Sequence, residues 1–86
     1  MAKYKIEFKR SVYKDLKPTP KGDLARILKR IKSLEGDPRG TGCEKLSGQD
    51  RYRVRQGVYR IVYEIVDDRL IVTVVKVGHR RDVYER

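Results

Sequence analysis

The sequence RYRVRQGVYRIVYEIV, residues 51–66, decides the fold of this chain. Apolar and charged residues alternate in it with the period of two that is typical of β-strands, and the glycine near its middle indicates a turn. We therefore predict two antiparallel strands, residues 51–56 and 58–66, joined by a tight turn at residues 56–57.

The first of these strands carries a row of cations. Its odd positions share one face, and each is an arginine: Arg51, Arg53 and Arg55. The predicted turn would place Arg53 directly across from Arg60. Like charges that face each other across a ladder destabilise a sheet, so this arrangement indicates an anion between them. Guanidinium binds phosphate through two parallel hydrogen bonds, which makes phosphate the natural candidate.

The remaining elements lie on both sides of this hairpin. Residues 3–9 alternate as a strand whose inner face carries Tyr4, Ile6 and Phe8. A further strand is predicted at residues 70–77. If the turn that precedes it has three residues, Lys76 lies opposite Arg60, whereas a two-residue turn moves the lysine to the other face.

Two helices are predicted between the first strand and the hairpin. Ser11 would cap a short helix that ends before Pro18. Thr19 would cap a longer helix with Pro20 at its first position. An apolar stripe runs along the longer helix, formed by Leu24, Ile27, Leu28, Ile31 and Leu34. Residues 37–50 are rich in glycine and are predicted to be a loop without a stable element.

The order strand, helix, helix, strand, strand, strand predicts an α+β fold. We expect one domain, residues 1–86, with a small single-layer, mostly antiparallel sheet and two helices packed on one face. The candidate core of the central strand is Tyr59, Ile61, Tyr63 and Ile65. The opposite face of the sheet is left available for a ligand.

Composition narrows the classes of partner. The 86 residues carry a formal net charge of +10, which favours nucleic acid, then an acidic protein, then an anionic membrane. One cysteine allows no internal disulfide and fits a reducing cytoplasm. The chain shows no signal peptide and no apolar run near the ~20 residues of a membrane span, so no membrane partner is expected.

Several kinds of chemistry have no support in the sequence. It contains no histidine–cysteine cluster for zinc, no glycine-rich phosphate loop and no Ser-His-Asp arrangement, so neither a metal nor a cofactor is expected. Asp67 and Asp68 could imitate a metal-binding pair, but their neighbours indicate a turn. Cys43 lacks a recognisable base partner.

Four segments together resemble the RelE branch of the RelE/ParE toxin superfamily. They are the Lys45-Leu46-Ser47-Gly48 loop, residues 51–55, residues 59–63 and residues 77–84, VGHRRDVY. The resemblance spans nearly the whole chain. It implies the toxin of a type II toxin–antitoxin system: a metal-independent endoribonuclease that cuts mRNA in the ribosomal A site. In that reaction a ribose 2′-hydroxyl attacks the adjacent phosphate.

The resemblance also assigns roles to residues. The matching catalytic positions are Arg53, Arg55, Arg60, Arg80 and Tyr84. Arginine stays protonated at neutral pH and cannot readily move protons there. Tyr84 is a candidate base if the cations lower its pKa, and it could equally stack on a nucleobase. His79 either takes a direct part or packs and positions substrate. Arg81 is expected to be a solvated charge or an antitoxin contact.

A second group of residues is expected to contact RNA or the ribosome rather than the reacting atoms. This group comprises Lys45, Arg51, Lys76, His79, and Arg26, Lys29 and Arg30 of the longer helix. For the helix cations, a solvated surface is the competing interpretation, and 16S-type ribosomal RNA is the functional one.

The implied partners are a RelB-like antitoxin, mRNA and the ribosome. We expect a free toxin that is monomeric and a hetero-oligomeric complex with the antitoxin. Two alternatives stay open at this point. One is a ParE-like inhibitor of DNA gyrase without RNA chemistry, and the other is a non-catalytic basic homologue that binds RNA or the ribosome.

Overall fold

Five strands form one sheet, and two helices cover one of its faces. The structure is a computed structural model that describes residues 3–48 and 50–79. The elements are β1 (Lys5–Phe8), α1 (Arg10–Leu16), α2 (Lys21–Ser33), β2 (Glu44–Lys45), β3 (Arg51–Gln56), β4 (Tyr59–Val66) and β5 (Ile71–His79). The strands lie in the order β1-β5-β4-β3-β2. β1 pairs with β5 in parallel and the other pairs are antiparallel, which confirms the predicted α+β class.

The hydrophobic core lies between the helices and the sheet. Its buried side chains are Val12, Ile27, Ile31 and Leu34 from the helical side and Val54, Ile61, Tyr63, Val72, Val74 and Val77 from the strands. Of the predicted core, Ile61 and Tyr63 are fully buried, while Tyr59 and Ile65 are half-buried against the same cluster. Tyr4, Ile6 and Phe8 of β1 also pack there. Neither helix is long and apolar enough to cross a bilayer within the described ranges.

The helices differ from the prediction at their starts and on one face. α1 begins at Arg10, so Ser11 lies inside it, and α2 begins at Lys21, one residue after the predicted position. Neither helix has a side-chain N-cap. Leu28 is 42% exposed. It follows Ile27 by about 100° around the helix, so it points away from the stripe that the core covers.

β2 is an element that the sequence prediction missed. Residues 37–50 were expected to be a plain loop, but Glu44 pairs with Arg53, and Lys45 pairs with Tyr52. Leu46 N–H then donates to the Arg51 carbonyl at 2.8 Å. Its side chain is buried with those of Val62 and Val75, which form a second cluster. Val62 alternates with core residues, so this small cluster lies on the face away from the helices.

The β3–β4 register corrects the prediction. The turn residues are Gly57, with φ of 59°, and Val58. Gln56 therefore pairs with Tyr59, and Arg55, not Arg53, lies across from Arg60. The glycine supplies the positive φ that a two-residue hairpin turn needs, which moves the turn one residue along the chain. Arg53 lies across from Val62.

A β-bulge sets the β4–β5 register. Val66 pairs with Ile71 across a four-residue connection, residues 67–70. If that register continued without interruption, Lys76 would pair with Ile61 and lie on the helix side of the sheet. The register shifts between Val62 and Tyr63, so Val62 pairs with Lys76. Lys76 thus shares the face of Arg60, although Arg60 itself pairs with Gly78.

A polar network fastens the loop after α2 to the sheet. Arg39 donates to both carboxylate oxygens of Asp67 at 2.9 Å and to the Tyr52 hydroxyl at 3.1 Å. Tyr4 O–H also donates to Asp67, at 2.8 Å. Below this network the buried Tyr63 hydroxyl donates to the Pro38 carbonyl at 2.6 Å. Burial first, then its polar neighbours, raises the pKa of Tyr63 well above its ordinary value.

Candidate phosphate-binding face

The face of the sheet away from the helices presents two arginines side by side at its hairpin end. Arg55 is exposed, Arg60 is half-buried, and they are direct cross-strand partners. Side chains at such positions start only ~4.5–5.5 Å apart. Within the described chain neither guanidinium has a carboxylate within 4.0 Å. The pair is therefore a concentration of positive charge without a direct ion-pair partner among the described residues.

Arg53 extends this face but is not free. Its side chain is 23% exposed and donates to the Glu44 carboxylate at 2.8 Å. The bond to Arg53, reinforced by the charges of Arg55 and Arg60, holds the pKa of Glu44 below its ordinary value. Glu44 was missed in the sequence analysis because nothing predicted β2. Only the pairing of β2 with β3 brings this acid to the arginines.

Two guanidinium donors on this face are buried without a partner. They are the Nε atoms of Arg53 and Arg60, which find no acceptor in the described residues. A buried donor left unpaired costs stability, and most buried donors are paired. Both arginines therefore keep donor capacity that no acceptor in the described residues uses.

Arg60 has a residue without a side chain as its neighbour on β5. That residue is Gly78. Lys76, two residues earlier on β5, shares the face and has its Nζ 3.7 Å from Asp15. The small cluster of Leu46, Val62 and Val75 forms the apolar floor next to the cations.

Arg51 lies on the same face but at the far end of the hairpin. It pairs across the strands with Glu64, and its Nε donates to the Glu64 carboxylate at 3.0 Å. Its charge is therefore balanced locally. The structure brings Arg53, Arg55 and Arg60 together at the hairpin end of this face. Lys76 begins on the same face, but its ammonium lies at Asp15 of α1, and Arg51 is apart from all of them.

His79 and Lys45 do not belong to this face. His79 pairs with Tyr59, a core-side residue, and the two rings meet edge-on with centroids 6.0 Å apart. Lys45 is exposed and pairs with Tyr52, whose ring stacks on Tyr63 in the core. Both side chains therefore leave the sheet on the side opposite to Arg55 and Arg60. Their predicted contacts with RNA or the ribosome remain predictions.

The cations of α2 form a separate surface on the helix side. Arg26 pairs with Asp23 at 3.3 Å, and Arg30 donates to the Thr41 carbonyl at 2.9 Å. With Lys29 they line a cleft of about 300 Å³ that reaches Gln56 at the end of β3. Arg30 thus has a structural bond besides its predicted RNA-binding role.

Arg80, Arg81 and Tyr84 lie outside the described residues. Their assigned roles continue to rest on the resemblance alone. Among residues 3–48 and 50–79, no three His, Cys, Asp or Glu side chains come together as a metal-binding group.

Comparisons with known proteins agree with this architecture. The model of the ParE toxin family of type II toxin–antitoxin systems matches residues 6–84. A Methanocaldococcus jannaschii protein, provisionally named toxin RelE1, is 31% identical, and the match covers 96% of this chain and 97% of the relative.

Two solved toxin–antitoxin complexes contain chains of the same fold. In the RelBE2 complex of Mycobacterium tuberculosis, the matching chain is 27% identical with a TM-score of 0.83, and the match covers 95% of this chain and 97% of that chain. In the RelE–RelB complex of Pyrococcus horikoshii OT3, identity is 26%, TM-score is 0.77, and coverage is 93% and 98%. The chain therefore belongs to the RelE/ParE superfamily of toxins from type II toxin–antitoxin systems.

Proposed function

We propose that this toxin is a ribosome-dependent endoribonuclease that cuts mRNA in the A site. The observation that carries the proposal is the pair Arg55 and Arg60, which face each other without a carboxylate partner in the described chain. Two adjacent like charges cost stability unless an anion joins them. A phosphodiester is the anion whose geometry suits paired guanidinium groups.

The proposed reaction begins with attack of a ribose 2′-hydroxyl on the neighbouring phosphorus. The bond to the 5′-oxygen breaks, which leaves a 2′,3′-cyclic phosphate and a 5′-hydroxyl. Negative charge grows on the phosphorane oxygens during this step. Fixed guanidinium donors from β3 and β4 stabilise that charge without reorganising, and Arg53 supplies a third donor close to them.

The proton transfers need a different group, because guanidinium stays protonated at neutral pH. His79 lies on the other side of the sheet from Arg60, which makes it a poor candidate for contact with the same phosphate. The resemblance places Arg80 and Tyr84 among the catalytic positions. Of these two, only Tyr84 has an ionisable hydroxyl suited to acid–base work.

An antitoxin is the proposed protein partner. The relatives from M. tuberculosis and P. horikoshii were solved as toxin–antitoxin complexes. In this chain, the helices expose apolar surface at Tyr13, which is 60% exposed, and at Leu28. An antitoxin segment with apolar and acidic residues would cover both the helices and the cationic face.

We further propose that the toxin is located in the cytoplasm and that it is a monomer when free of antitoxin.

Cleavage on translating ribosomes tests the enzymatic proposal. Purified protein should produce message ends at defined codon positions, read by sequencing. Arg60→Ala and Arg55→Ala should each lower the cleavage rate by about 10²–10³, the usual effect of losing one preorganised donor. Arg69→Ala removes the same charge from the distant turn and should cut normally. Equal cleavage by all four proteins would overturn the assigned site.

Inhibition of DNA gyrase is the second candidate, because the matching family model carries the ParE name. A supercoiling assay with the same protein separates the two. Gyrase inhibition that survives Arg60→Ala, without message cleavage, would select this alternative. Salt-sensitive RNA binding with neither activity would select a non-catalytic homologue.

A further inference from the structure

A cleft lies between the end of α1 and the carboxyl-terminal end of β5. It has a volume of about 380 Å³ and is lined by side chains that include Lys14, Asp15, Thr19, Tyr59 and His79. That volume falls in the range of ~300–1,000 Å³ typical of small-molecule pockets. β1 leaves this part of β5 uncovered, because its last pair is Phe8 with Val74.

Aromatic and polar side chains form the walls of the cleft. Tyr59 and His79 stand edge to face on one side. On the other side, Asp15 accepts a hydrogen bond from the Val77 amide at 3.1 Å, and Thr19 Oγ1 donates to the Asp15 carbonyl at 3.4 Å. These bonds join the end of α1 to β5. The Thr19 hydroxyl oxygen keeps lone pairs that can accept a bond from a ligand.

The cleft begins where the cationic face ends. Gly78 and Lys76 line it, and Gly78 is also the cross-strand neighbour of Arg60. A phosphate beside Arg60 would therefore lie about one strand spacing, ~5 Å, from the strand that borders the cleft. Consecutive phosphates in a nucleic acid strand are joined by a single nucleoside, so a neighbouring base can reach over the β5 edge.

We propose that this cleft binds a nucleobase of the RNA strand whose phosphate lies on the arginine face. The inference rests on the proposed RNA-cleaving function and adds a base-binding subsite to it. Aromatic rings stack on any base, and the cations Lys14 and Lys76 at the rim attract the flanking phosphates. The same protein thus grips the backbone on one side of the sheet and a base on the other.

Binding of nuclease-resistant RNA tests this inference without requiring cleavage. The probes are a 2′-O-methyl trinucleotide and versions that lack one base each, titrated into isotope-labelled protein and followed by NMR. The probe that lacks the base bound in the cleft should bind the unaltered protein roughly tenfold more weakly than the complete trinucleotide does. Thr19→Phe, which fills the cleft, and Tyr59→Leu, which removes a ring, should each abolish that dependence on the base.

Lys17→Ala is the matched control, because Lys17 is exposed next to the cleft but does not line it. It should weaken all probes equally. The subsite would be overturned if the unaltered protein bound probes with and without the base equally well. It would also be overturned if both Thr19→Phe and Tyr59→Leu kept the full dependence of affinity on the base. If the protein never cuts message but its binding depends on the base as described, the proposed function is wrong and the subsite is supported. If it cuts message but its binding does not depend on the base, the subsite is wrong and the proposed function is unaffected.

Discussion

At the scale of single residues, Glu44 controls how much of the arginine face is available. Its carboxylate forms an ion pair with the Arg53 guanidinium, with an N–O distance of 2.8 Å. Arg55 and Arg60 have no ion-pair partner of this kind in the described ranges. The depressed pKa of Glu44 means that the carboxylate stays charged throughout the neutral range. An incoming phosphate must therefore compete with Glu44 for Arg53.

Glu44→Gln is expected to tighten RNA binding severalfold. The change removes the competing charge and releases Arg53, so the plot of log affinity against log salt should steepen by up to ~0.7, the value for one more phosphate contact on a single strand. Fluorescence anisotropy with a labelled oligonucleotide measures both. Asp68→Asn, the same charge change in the exposed turn, should leave the slope nearly unaltered. An identical response from both variants would contradict the competition.

Tyr63→Phe probes the buried hydroxyl that holds the loop after α2. The hydroxyl is inaccessible to water and donates to the Pro38 carbonyl at 2.6 Å. Its removal leaves that carbonyl without this donor, which should lower the free energy of unfolding by about 1–3 kcal/mol. Urea denaturation measures the difference. Tyr13→Phe is the control, because Tyr13 is 60% exposed and should change stability little.

At the scale of elements, the β4–β5 connection has two separate effects. Its length and the later bulge put Lys76 on the arginine face. Its acid, Asp67, forms the two-point ion pair with Arg39 that holds the loop preceding β2. The bonds from Arg39 and then Tyr4 lower the pKa of Asp67 from 3.8 to about 2. The segment that carries Glu44 and Leu46 is thus anchored from a distant turn.

Asp67→Asn should change how stability depends on acid pH. Because the folded-state pKa is depressed, the ion pair contributes fully above pH 3.8, and the contribution is lost as the pH falls toward 2. The variant should unfold at a lower temperature at pH 5 and show a shallower loss of stability between pH 4 and pH 2. Thermal unfolding by circular dichroism provides the measurement. A variant curve parallel to that of the unaltered protein across this window would count against the pair.

At the scale of the whole molecule, both faces of the sheet carry clustered positive charge. The formal net charge is +10, and the pair Arg55 and Arg60 lies on the face away from the helices. The helix side carries a second basic cleft, lined by Arg26, Lys29 and Arg30. Both faces of the protein therefore attract polyanions and acidic protein segments.

Association with an antitoxin is expected to be fast at low salt. Electrostatic steering raises association rates by up to about 10³ and fades as the Debye length shrinks from ~30 Å at 0.01 M to ~8 Å at 0.15 M salt. Stopped-flow fluorescence at several ionic strengths, with the cognate antitoxin, gives the association rate. The dissociation rate should change much less. An association rate that is insensitive to ionic strength would argue against charge as the guide.

The sequence by itself determined four of the five strands (β1, β3, β4 and β5), the two helices and the side of the sheet that carries the arginines. These follow from local periodicity, since alternation assigns Arg53 and Arg55 to one face of β3. A two-residue turn, at residues 56–57 or at residues 57–58, puts Arg60 on that same face. The resemblance to RelE toxins was likewise readable from the motifs around the hairpin and the last strand, and the comparisons confirmed it.

Only the tertiary structure decided which arginines meet and which acids oppose them. A shift of the turn by one residue moves the partner of Arg60 from Arg53 to Arg55, and one bulge keeps Lys76 on their face. The pairing of Glu44 with Arg53 required β2, a two-residue strand too short to leave a periodic signal. Register depends on turn geometry and on packing across strands, and neither is encoded within one local window of sequence.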